Sequence, residues 1–158
     1  MSNELHIVGF QVGRETFGIP ISRVHEIVRI PEITSVPDAP DAVIGVMNLR
    51  GKIVPVVDLR KRFGAKNDGF TRKNRVVVAE VEGKLVGLVV DSASEVLKLP
   101  LGEIQPANTM FQDQELNYIT GLGKLAERLI ILIDLTRLLE RNELRRLSIP
   151  AEAAGATA

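Results

Sequence analysis

An internal repeat is the feature that most constrains the fold of this 158-residue chain. Residues 17–63 align with residues 86–139, at an offset of 69 positions that becomes 76 because the second copy has a longer loop. The matched residues are Gly18 with Gly87, Glu26 with Glu95, Pro31 with Pro100, Pro37 with Pro106, Gly45 with Gly121, Leu49 with Leu125, Asp58 with Asp134 and Leu59 with Leu135. Two copies of one unit predict two similar lobes.

Short runs of β-branched residues, bounded by Gly or Pro, predict that both copies are mainly β. Hairpins are expected in residues 5–21, 45–58 and 75–90. Each copy is too small for a flat sandwich, so a closed small barrel without exposed sheet edges is the natural fold. A stripe of leucines that begins at Leu135 predicts a short C-terminal helix.

The repeat also suggests how one domain over residues 1–150 is organised. The first barrel lobe is expected over about 14–70 and the second over about 75–140. The N-terminal strand and the C-terminal helix are expected to pack across both lobes. The small-residue tail, 151–158, is expected to be disordered.

Composition argues against several classes of protein. Twenty Lys and Arg residues balance twenty Asp and Glu residues, whereas a nucleic-acid binder usually has a basic excess. One Tyr and five Phe, with no Trp, offer little for base stacking. The absence of Cys excludes disulfides and thiolate chemistry. We see no signal peptide at the N-terminus and no apolar run long enough for a membrane helix.

The sequence offers no reactive constellation, and we predict neither an enzyme nor a bound cofactor or metal. No HExxH, GxSxG or EF-hand pattern occurs. His6 and His25 are isolated, as structural or surface histidines usually are. Asp58, Asp91 and Asp134 each follow an expected strand and are interpreted as turn or helix-start residues. The alternative is a catalytic pair among these three carboxylates.

Five stretches of the chain resemble one known family. They read FGIPISRVHEI, ITSVPDAP, GVMNLRGKIVPVVDLRKRF, VGLVVDSASEVLKLP and YITGLGKLAERLIILIDL, and the match runs from about residue 5 to residue 147. The string NLRG-x-I-x-PV-x-DLR is the most specific part. These segments resemble CheW, the coupling protein of bacterial chemotaxis, whose domain also occurs in the histidine kinase CheA.

The resemblance implies two intertwined, five-stranded, SH3-like β-barrels and a non-enzymatic adaptor. Such an adaptor is cytoplasmic and is recruited to receptor arrays. It joins the cytoplasmic tips of methyl-accepting chemoreceptors to the CheA regulatory domain, and it can meet other CheW copies in rings. The alternative from another class is a small-barrel protein that binds nucleic acid or a small ligand, because barrels host many functions.

The resemblance also assigns residues to the two expected partners. The positions that match the family's receptor-binding face are Val24, Glu26, Ile27, Val28, Arg50, Val76, Val86 and Gly87. The candidate kinase-facing positions are Ile104, Gln105, Met110 and Phe111. Glu26 and Arg50 are expected to form an ion pair, because the hairpin bend at Arg50 can reach the strand of Glu26. The alternatives are a solvated turn for Arg50, core packing for the apolar positions, and a loop pinned to its own barrel for Met110 and Phe111.

Overall fold

The computed structural model describes residues 3–37, 43–64, 69–107 and 117–139. Within these ranges the strands are β1 (Glu4–Val12), β2 (Glu15–Pro20), β3 (Val24–Arg29), β4 (Val43–Leu49), β5 (Lys52–Asp58), β6 (Arg75–Val81), β7 (Lys84–Val90), β8 (Ser92–Pro100), β9 (Ile104–Pro106), β10 (Ile119–Leu125) and β11 (Arg128–Ile133). Helices α1 (Leu59–Arg62) and α2 (Leu135–Leu139) each follow a strand, and 3-10 turns occupy Ile21–Arg23 and Leu101–Glu103. The mainly β class and the short helix at Leu135 are confirmed. The expected tail at 151–158 lies outside the described residues.

The three predicted hairpins are confirmed by antiparallel pairing of neighbouring strands. β1 pairs with β2, β4 with β5 and β6 with β7. Their turns use left-handed backbone at Gly13, at Arg50 and Gly51, and at Glu82 and Gly83. Positive φ at such turns matches the right-handed twist of the strands that they join.

The strands form two sheets that mix the two repeat copies. One sheet has the order β3-β6-β7-β5-β4 and the other the order β8-β1-β2-β11-β10-β9. The first five positions of both orders correspond through the repeat, with β1 and β2 taking the places of β6 and β7. Each copy thus gives its leading hairpin to the other copy's sheet. Parallel pairs make the junctions, Val56 opposite Gly87 in one sheet and Leu132 opposite Gly18 in the other.

This arrangement differs from the expected division into a lobe over 14–70 and a lobe over 75–140. The hairpin of β6 and β7 lies in the sheet of β3, β4 and β5, and most of the N-terminal hairpin's partners come from the second copy. A repeat cannot reveal such an exchange, because equivalent residues satisfy the same contacts within or between copies. The parallel junctions require long crossovers, which the connections between the copies provide.

Buried side chains form three groups, one inside each sheet and one between the two sheets. One fills the five-stranded sheet's interior and includes Met47, Val56 and Val76. A second fills the six-stranded sheet's interior and includes Leu99 and Ile130. The largest group joins both sheets and the helices, and its members include Phe10, Phe17, Val77, Leu88, Leu135 and Leu138. Two curled sheets with separate interiors and a shared interface constitute two packed small barrels.

Candidate functional site

The β4–β5 turn is the most specific local structure in the motif that the sequence singled out. The side-chain oxygen Oδ1 of Asn48 accepts a hydrogen bond of 2.8 Å from the backbone N–H of Gly51. Arg50 and Gly51 have φ values of 50° and 88°. Asn48 therefore secures a tight turn that holds the Cα of Arg50 in a fixed left-handed conformation.

Arg50 forms the predicted ion pair with Glu26. Its Nη1 atom donates a hydrogen bond to Oε2 of Glu26, and the two side chains are 72 % and 20 % exposed, respectively. The β4–β5 turn thereby touches β3, which lies at the other edge of the same sheet. The ion pair consequently spans the seam at which this sheet closes into a barrel.

The electrostatics of the pair involve a third residue. The hydrogen bond from Arg50 is the main cause that holds the pKa of Glu26 below its ordinary value, although desolvation acts in the opposite direction. The same bond raises the pKa of Arg50. His25 places Nε2 3.6 Å from the same Oε2 atom. One carboxylate oxygen therefore faces two side chains on the barrel surface.

Three of the other receptor-binding candidates lie on β3 beside Glu26. Ile27 is 37 % exposed and Val24 is half-buried against the core that joins the sheets. Val28 is half-buried too, but it packs against the interior of the five-stranded barrel. Ile27 is thus the most exposed of these three candidates.

The other three candidates for receptor contact have core positions. Val76 is 0 % exposed and Val86 is 1 % exposed. A Cβ atom at Gly87 would lie 2.9 Å from Cγ1 of Val76, so the lack of a side chain at this glycine leaves room for Val76. The proposed contact surface therefore does not include these three residues. The sequence pattern could not distinguish groove residues from core residues here, because a strand that is buried on both faces is apolar at every position.

The candidates for kinase contact lie on and after β9. Ile104 is half-buried and packs into the interior of the six-stranded barrel. Gln105 is exposed and pairs with Leu122 of β10. β9 is an edge strand, so it offers backbone groups as well as side chains to a partner. Met110 and Phe111 lie outside the described residues.

A buried polar network at the end of β5 escaped the sequence reasoning. Nε and Nη2 of Arg60 each donate a 3.0 Å hydrogen bond to the carboxylate of Asp58, whose side chain is fully buried. Nη1 of Arg60 donates to the carbonyl oxygen of Gly69, at 2.9 Å, and lies 3.4 Å from Oδ1 of Asn74. The second copy has Thr136 in place of Arg60. This difference between the copies is the signal that could have revealed the network.

The carboxylates that follow strands have structural roles, as predicted. Asp58 accepts the N–H of Arg60 and Asp134 accepts the N–H of Thr136, each at the start of a helix. Asp91 accepts the N–H of Gly13 at 2.6 Å and so links the strand ends of the two sheets. Among the described residues, no cluster of His, Asp or Glu could hold a metal ion.

A small groove lies where β6 meets the six-stranded sheet. Its volume is about 180 Å³. Leu5, Ile19 and Leu132 supply apolar surface, while Arg23 and Glu80 supply charge. Arg23 directly precedes Val24, so the groove adjoins the start of β3. In the part of the chain that the structure describes, no helix is long and apolar enough to cross a membrane.

Comparisons with known proteins agree with this fold. A family model described as a CheW-like domain matches residues 6–143. The chemotaxis protein CheW of Klebsiella aerogenes is 39 % identical over 135 residues, which cover 85 % of this chain and 81 % of that protein. The CheW of Rhizobium meliloti is 36 % identical over 129 residues, which cover 82 % and 83 %. The crystal structure of the scaffolding protein TtCheW from Thermoanaerobacter tengcongensis has a TM-score of 0.80 at 36 % identity and covers 89 % of this chain and 95 % of that one. The chain therefore belongs to the CheW-like domain family of chemotaxis scaffold proteins.

Proposed function

We propose that this protein is a non-enzymatic adaptor that couples the cytoplasmic tips of chemoreceptors to the regulatory domain of the histidine kinase CheA. The Glu26–Arg50 pair at the barrel seam is the observation that carries the proposal, together with membership of the CheW-like family. In this function the chain acts in the cytoplasm, at receptor arrays. Its contribution is to hold two partners in a fixed relative position.

The proposed receptor face is centred on β3. A helical receptor tip needs an apolar contact with a few polar groups that fix its orientation. Ile27 supplies exposed apolar surface on β3, and the Arg50 side chain, which pairs with Glu26 of the same strand, is largely exposed. Glu26 holds the guanidinium in one geometry, so less side-chain entropy is lost when a partner binds. Val24 and the adjoining groove extend this face towards the second barrel.

The proposed kinase face is the edge strand β9, with Gln105 as its exposed side chain. A barrel of similar fold can approach such an edge and pair with it through backbone hydrogen bonds. The two proposed faces lie on different sheets. Binding to the receptor and binding to the kinase can therefore be impaired separately.

Titration calorimetry with a receptor cytoplasmic fragment and with the CheA regulatory domain tests the proposal. Arg50→Glu should weaken receptor binding about tenfold or more, because it places two carboxylates at the seam. The double variant Glu26→Arg/Arg50→Glu should restore part of that affinity. Gln105→Arg should weaken kinase binding and leave receptor binding unchanged.

Arg14→Glu is the matched control, because Arg14 is also an exposed arginine at a hairpin turn. It should bind both partners like the unmodified chain. Binding of neither partner by the unmodified chain would contradict the proposal. If Arg50→Glu lost receptor binding only in proportion to its loss of folded protein, the ion pair would have a structural role alone.

A further inference from the structure

A group of cations lies at the end of the five-stranded sheet that is remote from Arg50. Register places Arg29 opposite Arg75, and Arg75 opposite Val90. Asp58 lies opposite Val89 through the parallel pair of β5 with β7, so the end of β5 is at this same end. The β4–β5 turn that carries Arg50 is at the other end of β5. The cations therefore lie away from Arg50, although Arg29 ends the strand that carries Glu26 and Ile27.

The group consists of four side chains: Arg29, Arg72, Lys73 and Arg75. Arg29 and Arg75 are directly opposite on neighbouring strands, an arrangement that costs free energy when both carry the same charge. Nη1 of Arg75 donates to two backbone carbonyls, those of Arg72 and Asn74, at 2.6 and 2.8 Å. Among the described residues, no carboxylate lies within ion-pair distance of any of the four. In a chain whose net charge is zero, this is a local excess of positive charge.

The segment 69–75 that presents three of these cations is anchored by the buried network. Arg60 donates to the carbonyl of Gly69 while Asp58 holds its guanidinium. Oδ1 of Asn74 accepts the N–H of Thr71 at 2.7 Å, and its Nδ2 donates to the carbonyl of Asp91 at 3.1 Å. The segment therefore loses little conformational entropy when it binds a partner.

Phe70 adds an exposed apolar side chain at the start of the same segment. Its side chain is 49 % exposed, and the guanidinium carbon of Arg60 lies 5.1 Å from its ring centroid. Aromatic and arginine side chains together are the residues that most often dominate protein–protein interfaces. One aromatic ring without a basic excess over the whole chain is a poor platform for a nucleic acid.

We propose that Phe70 with Arg29, Arg72, Lys73 and Arg75 forms a second docking surface, for an acidic segment of a protein. Carboxylates of that segment would pair with the guanidinium groups, and an apolar side chain of the same segment would cover Phe70. Charge complementarity and the anchored backbone favour this partner. The surface is distinct from the contacts at Arg50 and Gln105, and it borders the receptor face through Arg29, the last residue of β3.

Backbone amide NMR titration of the full chain with a short peptide of alternating Glu and Leu tests this proposal. We expect shifts at residues 29 and 70–75, and weaker binding as NaCl is raised. A peptide with Gln in place of Glu should bind about tenfold more weakly or not at all. Arg72→Glu/Lys73→Glu should weaken binding of the Glu peptide by a similar factor. Both side chains are exposed and lie outside the buried network, so the fold should be unaffected.

Lys84→Glu/Lys98→Glu is the matched control, because it makes the same change in net charge at exposed lysines elsewhere. This control and Arg50→Glu should both bind the peptide normally, which separates this surface from the receptor contact at Arg50. Equal binding of the Gln peptide, or shifts confined to other residues, would overturn the proposal. Tighter binding at 70–75 to phosphatidylglycerol vesicles or to a single-stranded oligonucleotide would overturn the assignment to a protein partner.

Discussion

The hairpins β4–β5 and β10–β11 are equivalent in the repeat and share their backbone but not their polar side chains. Arg50 and Ala126 occupy the same turn position with φ values of 50° and 55°. Both hairpins have an irregular register at the start of their first strand, between Val43 and Gly45 and between Ile119 and Gly121. Ala126 shows that the turn forms without a cation. The guanidinium of Arg50 is therefore not needed to shape the hairpin. It is available to pair with Glu26 across the seam and to bind a partner.

The strand ends that follow these hairpins differ in the same way. Asp58 and Asp134 both start a short helix, but only Asp58 is joined by a buried arginine two residues later. Thr136 stands at the matching position and is half-buried. Shared residues thus specify the barrel, whereas the polar additions in the first copy anchor one loop and hold one seam.

The largest expected effect is at the buried network. Arg60→Met should lower the free energy of unfolding by about 3–5 kcal/mol, because it removes the arginine that pairs with the buried carboxylate of Asp58. Thr136→Met should change it by less than about 1 kcal/mol. Urea denaturation measures both. Asp58→Asn/Arg60→Met removes both buried charges and should recover part of the loss. Equal, small losses at both positions would remove the distinction between the two strand ends.

The paired glycines of the hairpins offer the next contrast. At Gly45, where φ is 151°, a Cβ atom would lie 2.1 Å from the carbonyl oxygen of Thr34. At Gly121 the nearest atom, the carbonyl oxygen of Gln105, would be 3.0 Å away. Gly45→Ala should therefore cost about 2–4 kcal/mol, from strain and overpacking together, and Gly121→Ala about 1 kcal/mol.

Comparison of urea midpoints for the two alanine variants checks this expectation. Gly45→Ala should also weaken amide protection at Thr34 and Val46, because their mutual 2.8 Å hydrogen bonds depend on the close approach. A larger loss at Gly121 than at Gly45 would contradict the reading of the first hairpin as the tighter one.

A smaller effect is expected at the turn itself. Asn48→Ala removes the acceptor for the N–H of Gly51 and should cost about 1 kcal/mol. Lys124→Ala, at the matching position of the second hairpin, should cost only a few tenths of that amount, since Lys124 is exposed. Thermal and urea unfolding of the two variants measure the difference. A loss at Lys124 as large as that at Asn48 would show that the second turn has a side-chain lock of its own.

Local signals predicted much of this fold. β-branched runs located the hairpins, and the repeat located two barrels, because both features depend on neighbours in sequence. These local signals could not predict the exchange of hairpins between the copies. Gly18 and Gly87 lie in equivalent environments, so each can make the contacts of the other. Pairing at long sequence separation is decided by the whole core, not by a local pattern.

The candidate site was predictable to a similar extent. The Glu26–Arg50 pair followed from a motif and a bend that bring opposite charges together. The sequence could not show whether Val76 and Val86 are core residues or groove residues, because a strand that is buried on both faces is apolar at every position. Arg60 was missed because a charged residue in a basic segment is ordinarily assigned to solvent. Only its absence from the second copy marks it as special.

The smallest expected effect is the pH dependence of the seam. Arg50 lowers the pKa of Glu26 in the folded state below its ordinary value of 4.5. The unfolded chain then binds more protons in that range, so the stability from the pair is present above pH 4.5 and is lost as pH falls through the folded-state pKa. The difference in unfolding free energy between the unmodified chain and Arg50→Met should therefore be constant near neutral pH and shrink below 4.5. Ala126→Ser, at the turn without the pair, should follow the unmodified profile throughout. A difference that grew on acidification would mean that Glu26 is not the group to which Arg50 contributes.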